Sequence, residues 1–318
     1  MKFILHTTMI WAAAALCACN VAPPEPIQSS EFYADGEVDT LHVHTKGNGI
    51  PIVIIGDGFN HEDLRHGGNW KKAADFLTTQ FLNLEVYKDF QDYFDIYAYM
   101  AESEDRGVTA GTKTKFGTNG SLANTDHALA KSLITAMPQI TDITKVSVMF
   151  VCNGSMGNGI GTAMLEEDGY GYAVYSAAEP NAPYWCAHEF GGHVFGWVID
   201  EICGGGAVVD EPFKEKLLHH QSLGKYLNVS LSADTAQAPW KQFFDVPGYD
   251  NVGIYEGGYY ICENIWRSED HSIMVNQQYA HYNAQSRYLI YKRIKTLAGE
   301  SFTFDNFLDY DVKNLWQD

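Results

Sequence analysis

Between His188 and Glu201 the chain reads HEFGGHVFGWVIDE, which sets two histidines and three acids among apolar and glycine positions. Imidazole and carboxylate are zinc ligands, and a glutamate directly after the first histidine stands where a base for metal-assisted hydrolysis is needed. In the common HExxH arrangement the histidines are four apart, so on an α-helix they diverge by roughly 40° and share one ion. Here His188 and His193 are five apart. On a regular α-helix they would diverge by roughly 140° and could not reach one tetrahedral ion. A π-type turn, which absorbs one residue, brings them back to one face. Gly191 and Gly192 fit that reading, because each costs a helix about 1 kcal/mol relative to alanine and therefore marks a distortion or a close approach.

His188 and His193 are thus the first two expected ligands, and Glu189 the expected general base. Asp200 is the first choice for the third ligand and Glu201 the reserve. Were the helix to continue, Asp200 would lie about 10 Å beyond His193 along the axis, so the chain must turn back. Gly196 is the expected turning point, through a left-handed glycine that ends the helix. The competing reading treats both histidines as ordinary surface or core residues, and the added glycines and acid pair argue against it.

The elements that must position this segment have their own patterns. Val38 to His44 alternates, and Ile52 to Ile55 is an uninterrupted apolar strand ending in the turn Gly56-Asp57-Gly58. Asp57 is read as a turn aspartate, with a cation or a cap as its other use. Asn69 to Leu82 has helical spacing, with Trp70, Ala74, Leu77 and Phe81 on one face. A strand over Asp95 to Met100, a loop over Ser103 to Ser121, a helix over Thr125 to Met137 and a strand over Lys145 to Cys152 follow. Ile160 to Leu165 and Tyr170 to Ser176 are short β-like runs. The alternation predicts a mixed, twisted α/β sheet with flanking helices, whose last strand is an edge. Asn153 to Thr162 is the expected rim of a substrate groove, with a plain glycine-rich connection as the other reading. The metal helix is expected to begin near Pro183, helices follow over Glu211 to Tyr226 and Asn283 to Ala298, and Trp240 to Met274 reads as irregular.

With 21 basic and 40 acidic residues among 318, the net charge is −19. Phosphate recognition needs clustered Lys and Arg, so a nucleic-acid partner is not expected. Lys2 followed by an apolar run and the sequence LCAC ending at Cys19 resembles a bacterial lipoprotein signal over residues 1–19, with Cys19 as the lipidated residue and residues 20–34 as a tether. A plain secretory signal is the alternative, and the apolar run is shorter than the roughly 20 residues of a spanning helix. The expected location is outside the cytoplasm, lipid-anchored to the outer membrane or cell surface, or else periplasmic or secreted. The membrane would be met only through the lipid. Beyond the signal, four cysteines allow three pairings; Cys203 with Cys262 is one candidate, and Cys152 fits a buried free thiol.

Four segments, IVIIGDGF at Ile52 to Phe59, DYFDIYAY at Asp92 to Tyr99, HEFGGHVFGWVIDE itself and SIMVNQQYAHYNAQSR at Ser272 to Arg287, together resemble the IgA-peptidase type of bacterial zinc metallopeptidases, a metzincin-related family. The HExxGH spacing is also similar to that of dipeptidyl peptidase III. The resemblance implies a zincin/metzincin-like single catalytic domain over residues 35–318, zinc held by His188, His193 and an acid of the Asp200-Glu201 pair, Glu189 as catalytic glutamate, and Met274 as a Met-turn beneath the metal. The expected activity is zinc-assisted hydrolysis of peptide bonds in extracellular proteins or glycoproteins. Tyr279, His281 and Tyr282 are candidates for supporting the oxyanion. Two rivals stand beside it: a catalytically silent zinc-binding surface lipoprotein, and a hydrolase of non-peptide amides.

Overall fold

A computed structural model describes residues 31–121, 124–154, 161–176 and 182–314. The expected signal, Cys19 and the tether up to residue 30 lie outside the described residues, as does most of the expected groove rim, residues 155–160. Glu31 to Ala34, the last part of the expected tether, instead runs beside Leu64 to His66: Tyr33 N–H donates to Leu64 O at 3.0 Å and His66 N–H to Glu31 O at 3.1 Å. No helix among the described residues is long and apolar enough to cross a membrane.

Strands β1 (Val38–His42), β2 (Ile50–Asp57), β3 (Phe94–Tyr99), β4 (Ser147–Cys152), β5 (Thr162–Leu165) and β6 (Gly171–Ser176) form one sheet in the order β1-β3-β2-β4-β6-β5. The four central strands run parallel, whereas β1 and β5 are antiparallel edges. Mixed sheets with antiparallel edges need crossovers only between the parallel members. Two of these carry the amphipathic helices α1 (Asn69–Leu82) and α2 (His127–Thr135).

Alternation along the strands divides the core. Ile50, Ile52, Ile54, Met149 and Val151 face the larger apolar cluster, shared with α1 and the segment that carries His188. Val53, Ile55, Val148, Phe150 and Cys152 face a second cluster with α2. Both faces are covered, so β2 and β4 read as continuous apolar runs, as central parallel strands do. Asp57, fully buried at the end of β2, is a structural turn residue: its carboxylate accepts from Gly58, Phe116 and Thr118 amides and from Ser103 and Thr114 hydroxyls, fixing the 103–118 loop.

After β6 come a short helix α3 (Ala182–Trp185) and, continuous with it, a π-helix over Cys186–Phe195. Then follow α4 (Glu211–Ser222), a small antiparallel sheet β7-β9-β8 (Val229–Ser230, Ile261–Arg267, Tyr255–Gly258), α5 (Ala284–Leu297) and α6 (Phe304–Asp311). Strands β8 and β9 lie within the stretch from Trp240 to Met274 that reads as irregular in the sequence. The β8–β9 hairpin turns on Tyr259 and Tyr260, both with positive φ (52° and 61°), where such turns ordinarily carry Asn-Gly.

Candidate metal centre

The extra residue between the histidines is absorbed as a π-helix, and its closing bond is visible at the C-terminus, where Gly196 N–H reaches Gly191 O, five residues back, at 2.9 Å. The glycines inside it are set by close approach. A Cβ at Gly191 would meet the Tyr282 hydroxyl, and one at Gly192 would stand 2.6 Å from Met274 Sδ. Gly196 corrects the sequence expectation. It keeps a right-handed conformation (φ −74°), and Trp197 takes the left-handed one (φ 56°). Glycine is required at 196 because a Cβ there would collide with the carbonyls of Gly191 and Gly192 and with Ile290.

This turn returns the chain to the histidines. His188 Nε2 and Asp200 Oδ1 are 3.1 Å apart, and His193 Nε2 and Asp200 Oδ2 are 3.5 Å apart. A tetrahedral ion with ligand bonds of about 2.0–2.1 Å separates its ligand atoms by about 3.3 Å, so the observed spacing fits zinc. The opposite ring nitrogens are both occupied by backbone carbonyls: His188 Nδ1 lies 3.0 Å from Ile273 O, and His193 Nδ1 lies 2.8 Å from Val198 O. A ring that donates from Nδ1 keeps its lone pair on Nε2, the atom turned toward Asp200. Tyr184, whose hydroxyl is 3.2 Å from His188 Nδ1, adds a further contact behind that ring.

Burial opposes charge on His193, but Asp200 and Glu189 outweigh it and raise the pKa to about 9. Burial likewise opposes ionisation of Asp200, and the two histidines reverse this and hold its carboxyl well below the usual range. Without an ion, His193 thus carries a proton that Asp200 stabilises, and a cation held by His188, His193 and Asp200, which together could hold a metal ion, would displace that proton.

Glu201, the reserve ligand, faces elsewhere. It is fully buried, and its carboxylate accepts from Asn283 Nδ2 at 2.8 Å and from Asn228 Nδ2 at 3.1 Å, while its N–H donates to Met274 O at 2.8 Å. Asn228 also clasps Ile199 through both its N–H and its carbonyl. Glu201 therefore secures the loop that presents Asp200. Met274 is in the turn after Ser272, fully buried against Gly192, directly below the π-helix.

The three atoms open onto a cleft of about 290 Å³, lined also by Glu189, Gly161, Thr162, Tyr226 and Tyr260. Burial raises the Glu189 carboxyl above its ordinary range, with the histidines partly offsetting it. Gly161 leaves Glu189 room, since a Cβ there would stand 2.8 Å from Glu189 Cγ. Of the proposed oxyanion residues, none lines this cleft among the described residues. Tyr282 is buried and donates its hydroxyl to Ala187 O, and Tyr279 lies tilted against the rings of His271 and His281.

Tyr260 is the tyrosine, with Tyr226, that does line the cleft. Its phenol is pushed up to about 12, first by burial and then by the Asp200 and Glu189 charges. The hairpin tip is docked on the metal loop: Tyr259 N–H donates to Asp200 O and Tyr260 N–H to Ile202 O, each at 2.8 Å, and the Cys203–Cys262 disulfide adds a covalent tie beside them. Cys152 and Cys186 are buried free thiols. The one sign of Tyr260 in the sequence is its Gly-Gly-Tyr-Tyr setting, whose glycine pair marks a turn but does not single out the tyrosine.

The sequence pattern of a family described as IgA Peptidase M64 matches residues 40–246. That span holds strands β2 to β6 of the main sheet, the π-helix and all three residues of the metal cluster. A search of the curated proteins found no match.

Proposed function

The chain belongs to the IgA peptidase M64 family, and from that premise we propose that it is a zinc-dependent endopeptidase acting on extracellular proteins. The observation that carries the proposal is the pair of backbone-anchored histidines, whose Nε2 atoms converge with Asp200 at spacings suited to one tetrahedral ion. His188, His193 and Asp200 would hold the zinc, leaving one position open toward the cleft. Zinc there would supply Lewis acidity toward a carbonyl and make a neighbouring water more acidic.

The chain's own groups do the rest. Glu189 takes a proton from the attacking water and passes it to the leaving amine, and its raised pKa suits both halves of that transfer. The Tyr260 hydroxyl donates to the oxygen on which negative charge develops. Strand β5 borders the cleft through Thr162 and Ala163. Its outer edge pairs with no strand among the described residues, so an extended peptide would be held by main-chain pairing there.

Glu189 in the cleft also weighs against a silent binding module, because a structural zinc has no use for a base and fills its positions with protein ligands. We read residues 1–19 as an export signal with Cys19 lipidated, which would put the enzyme where it meets extracellular proteins. Cleavage of a denatured protein that is lost to a chelator and restored by zinc supports the reading. Cleavage of simple amides but not of any polypeptide would overturn it.

A further inference from the structure

A second cavity, of about 320 Å³, lies between α5 and the chain leaving the π-helix. Trp197, Leu289 and Leu297 give it an apolar lining, and Arg293, Lys292 and Lys145 also line it. Arg293 is the unusual member. It is only 9% exposed, its guanidinium stacks 3.6 Å over the Trp197 ring, and its Nε and Nη2 are buried with no hydrogen-bond partner. Trp197 Nε1 is buried without a partner as well.

Arg287, on the same helix, shows what such a group requires. Its Nε and Nη2 form a fork on Asp311, each bond 2.8 Å, so its burial is compensated. Arg293 has no carboxylate partner among the described residues. The acid at the cavity, Asp168, already accepts from Lys131 at 3.1 Å and from Tyr170 N–H at 3.0 Å. Nearby Lys225 does not answer to an anion either, since its ammonium is taken by the carbonyls of Glu166 and Glu167. Burial without a partner pulls the Arg293 pKa down to about 9. An unpaired buried charge is costly, and the same fork geometry that fits Asp311 to Arg287 fits any carboxylate to Arg293.

We propose that this cavity is a binding site for a small organic carboxylate carrying an apolar body, with Arg293 as its anchor. The carboxylate takes the Nε and Nη2 fork as the Arg293 side chain slides across the Trp197 face toward the cavity, and Lys292 favours the anion at the rim, Lys145 being paired with Asp142 at 3.3 Å. Leu289 and Leu297 cover the apolar body. The volume is at the lower end of ligand pockets, which suits a single ring and no more. A strongly hydrated phosphate gains nothing from the leucines.

Calorimetric titration of the purified chain, kept metal-free by chelator so that the first cleft offers no cation, tests this with benzoate and its neutral analogue benzamide. Benzoate is expected to bind saturably and at least about tenfold more tightly than benzamide. Arg293→Met is expected to weaken benzoate by about tenfold or more, and Lys292→Gln by a few-fold, with benzamide unchanged in both. If Arg293→Met fails to fold, the exposed Lys292→Gln variant carries the comparison. Equal binding of benzoate and benzamide, unchanged benzoate affinity in the variants, displacement of benzoate by lower concentrations of inorganic phosphate, or no heat up to about 10 mM benzoate would each overturn the proposal.

Discussion

Gly192 and Met274 meet so closely that a single Cβ on the glycine would stand 2.6 Å from the methionine sulfur. Met274 is fully buried, so it has little room to withdraw. Gly192→Ala should destabilise the protein by about 1–3 kcal/mol through overpacking. Met274→Ala alone should cost about 2–5 kcal/mol through the cavity it leaves. Because the smaller residue removes the collision, the double variant should cost clearly less than the sum. Urea unfolding of the four proteins gives the coupling, and strict additivity would show that the two residues do not restrain each other.

Glu189→Gln keeps the size of the side chain and removes the base. The His188–His193–Asp200 cluster does not depend on it, so the variant should retain its zinc while turnover falls by about a thousandfold. Zinc analysis paired with a peptide-cleavage assay checks both halves. Activity within a few-fold of wild type would remove Glu189 from the mechanism.

Tyr260→Phe removes only a hydroxyl from the cleft. If that hydroxyl supports the developing oxyanion, kcat should drop by about a hundredfold or more with little change in KM. A matching loss at Tyr282 is not expected in kcat, because its hydroxyl is committed to Ala187 and its removal should appear as lost stability. Steady-state kinetics on both variants distinguishes the two roles.

Glu201 links the metal loop to pH. Burial raises its folded-state pKa from an ordinary 4.5 to about 7, so between those values the folded protein binds a proton that the unfolded chain has released. The stability this confers is fully present below about pH 4.5 and is lost as pH rises through 7, amounting to about 3 kcal/mol. On metal-free protein, Glu201→Gln should therefore gain on the wild type by about that amount between pH 4.5 and 8. Denaturant midpoints across the range measure it, and a pH-independent difference would contradict the assignment.

Much of this architecture was legible in the residues. The helix over Asn69–Leu82 follows from its one apolar face, and the strands around Ile52, Ile96 and Val148 from short apolar runs buried on both sides, patterns that are local to each segment. The five-residue histidine spacing with Gly191 and Gly192 announced a π-turn, since only that backbone brings both rings together. Asp200 stands first of the two acids in the sequence reading, but what turns Glu201 away, its bonds to the distant Asn228 and Asn283, no local pattern reveals. Tyr260 was hidden for a related reason. A tyrosine in a left-handed hairpin turn violates local preference and is held there by bonds to Asp200 and Ile202, which the sequence places about sixty residues earlier. Trp197 similarly took the conformation expected of Gly196, because three contacts exclude a side chain at 196.

The central claim is that His188, His193 and Asp200 hold one catalytic zinc, and metal content per chain tests it most directly. Purified protein exposed to equimolar zinc and desalted should retain about one zinc per chain, with His193→Ala and Asp200→Ala losing it together with cleavage of a denatured protein, while Glu201→Gln retains it. Wild-type protein that retains no zinc, or a His193→Ala variant that keeps both its zinc and its cleavage, would contradict the account.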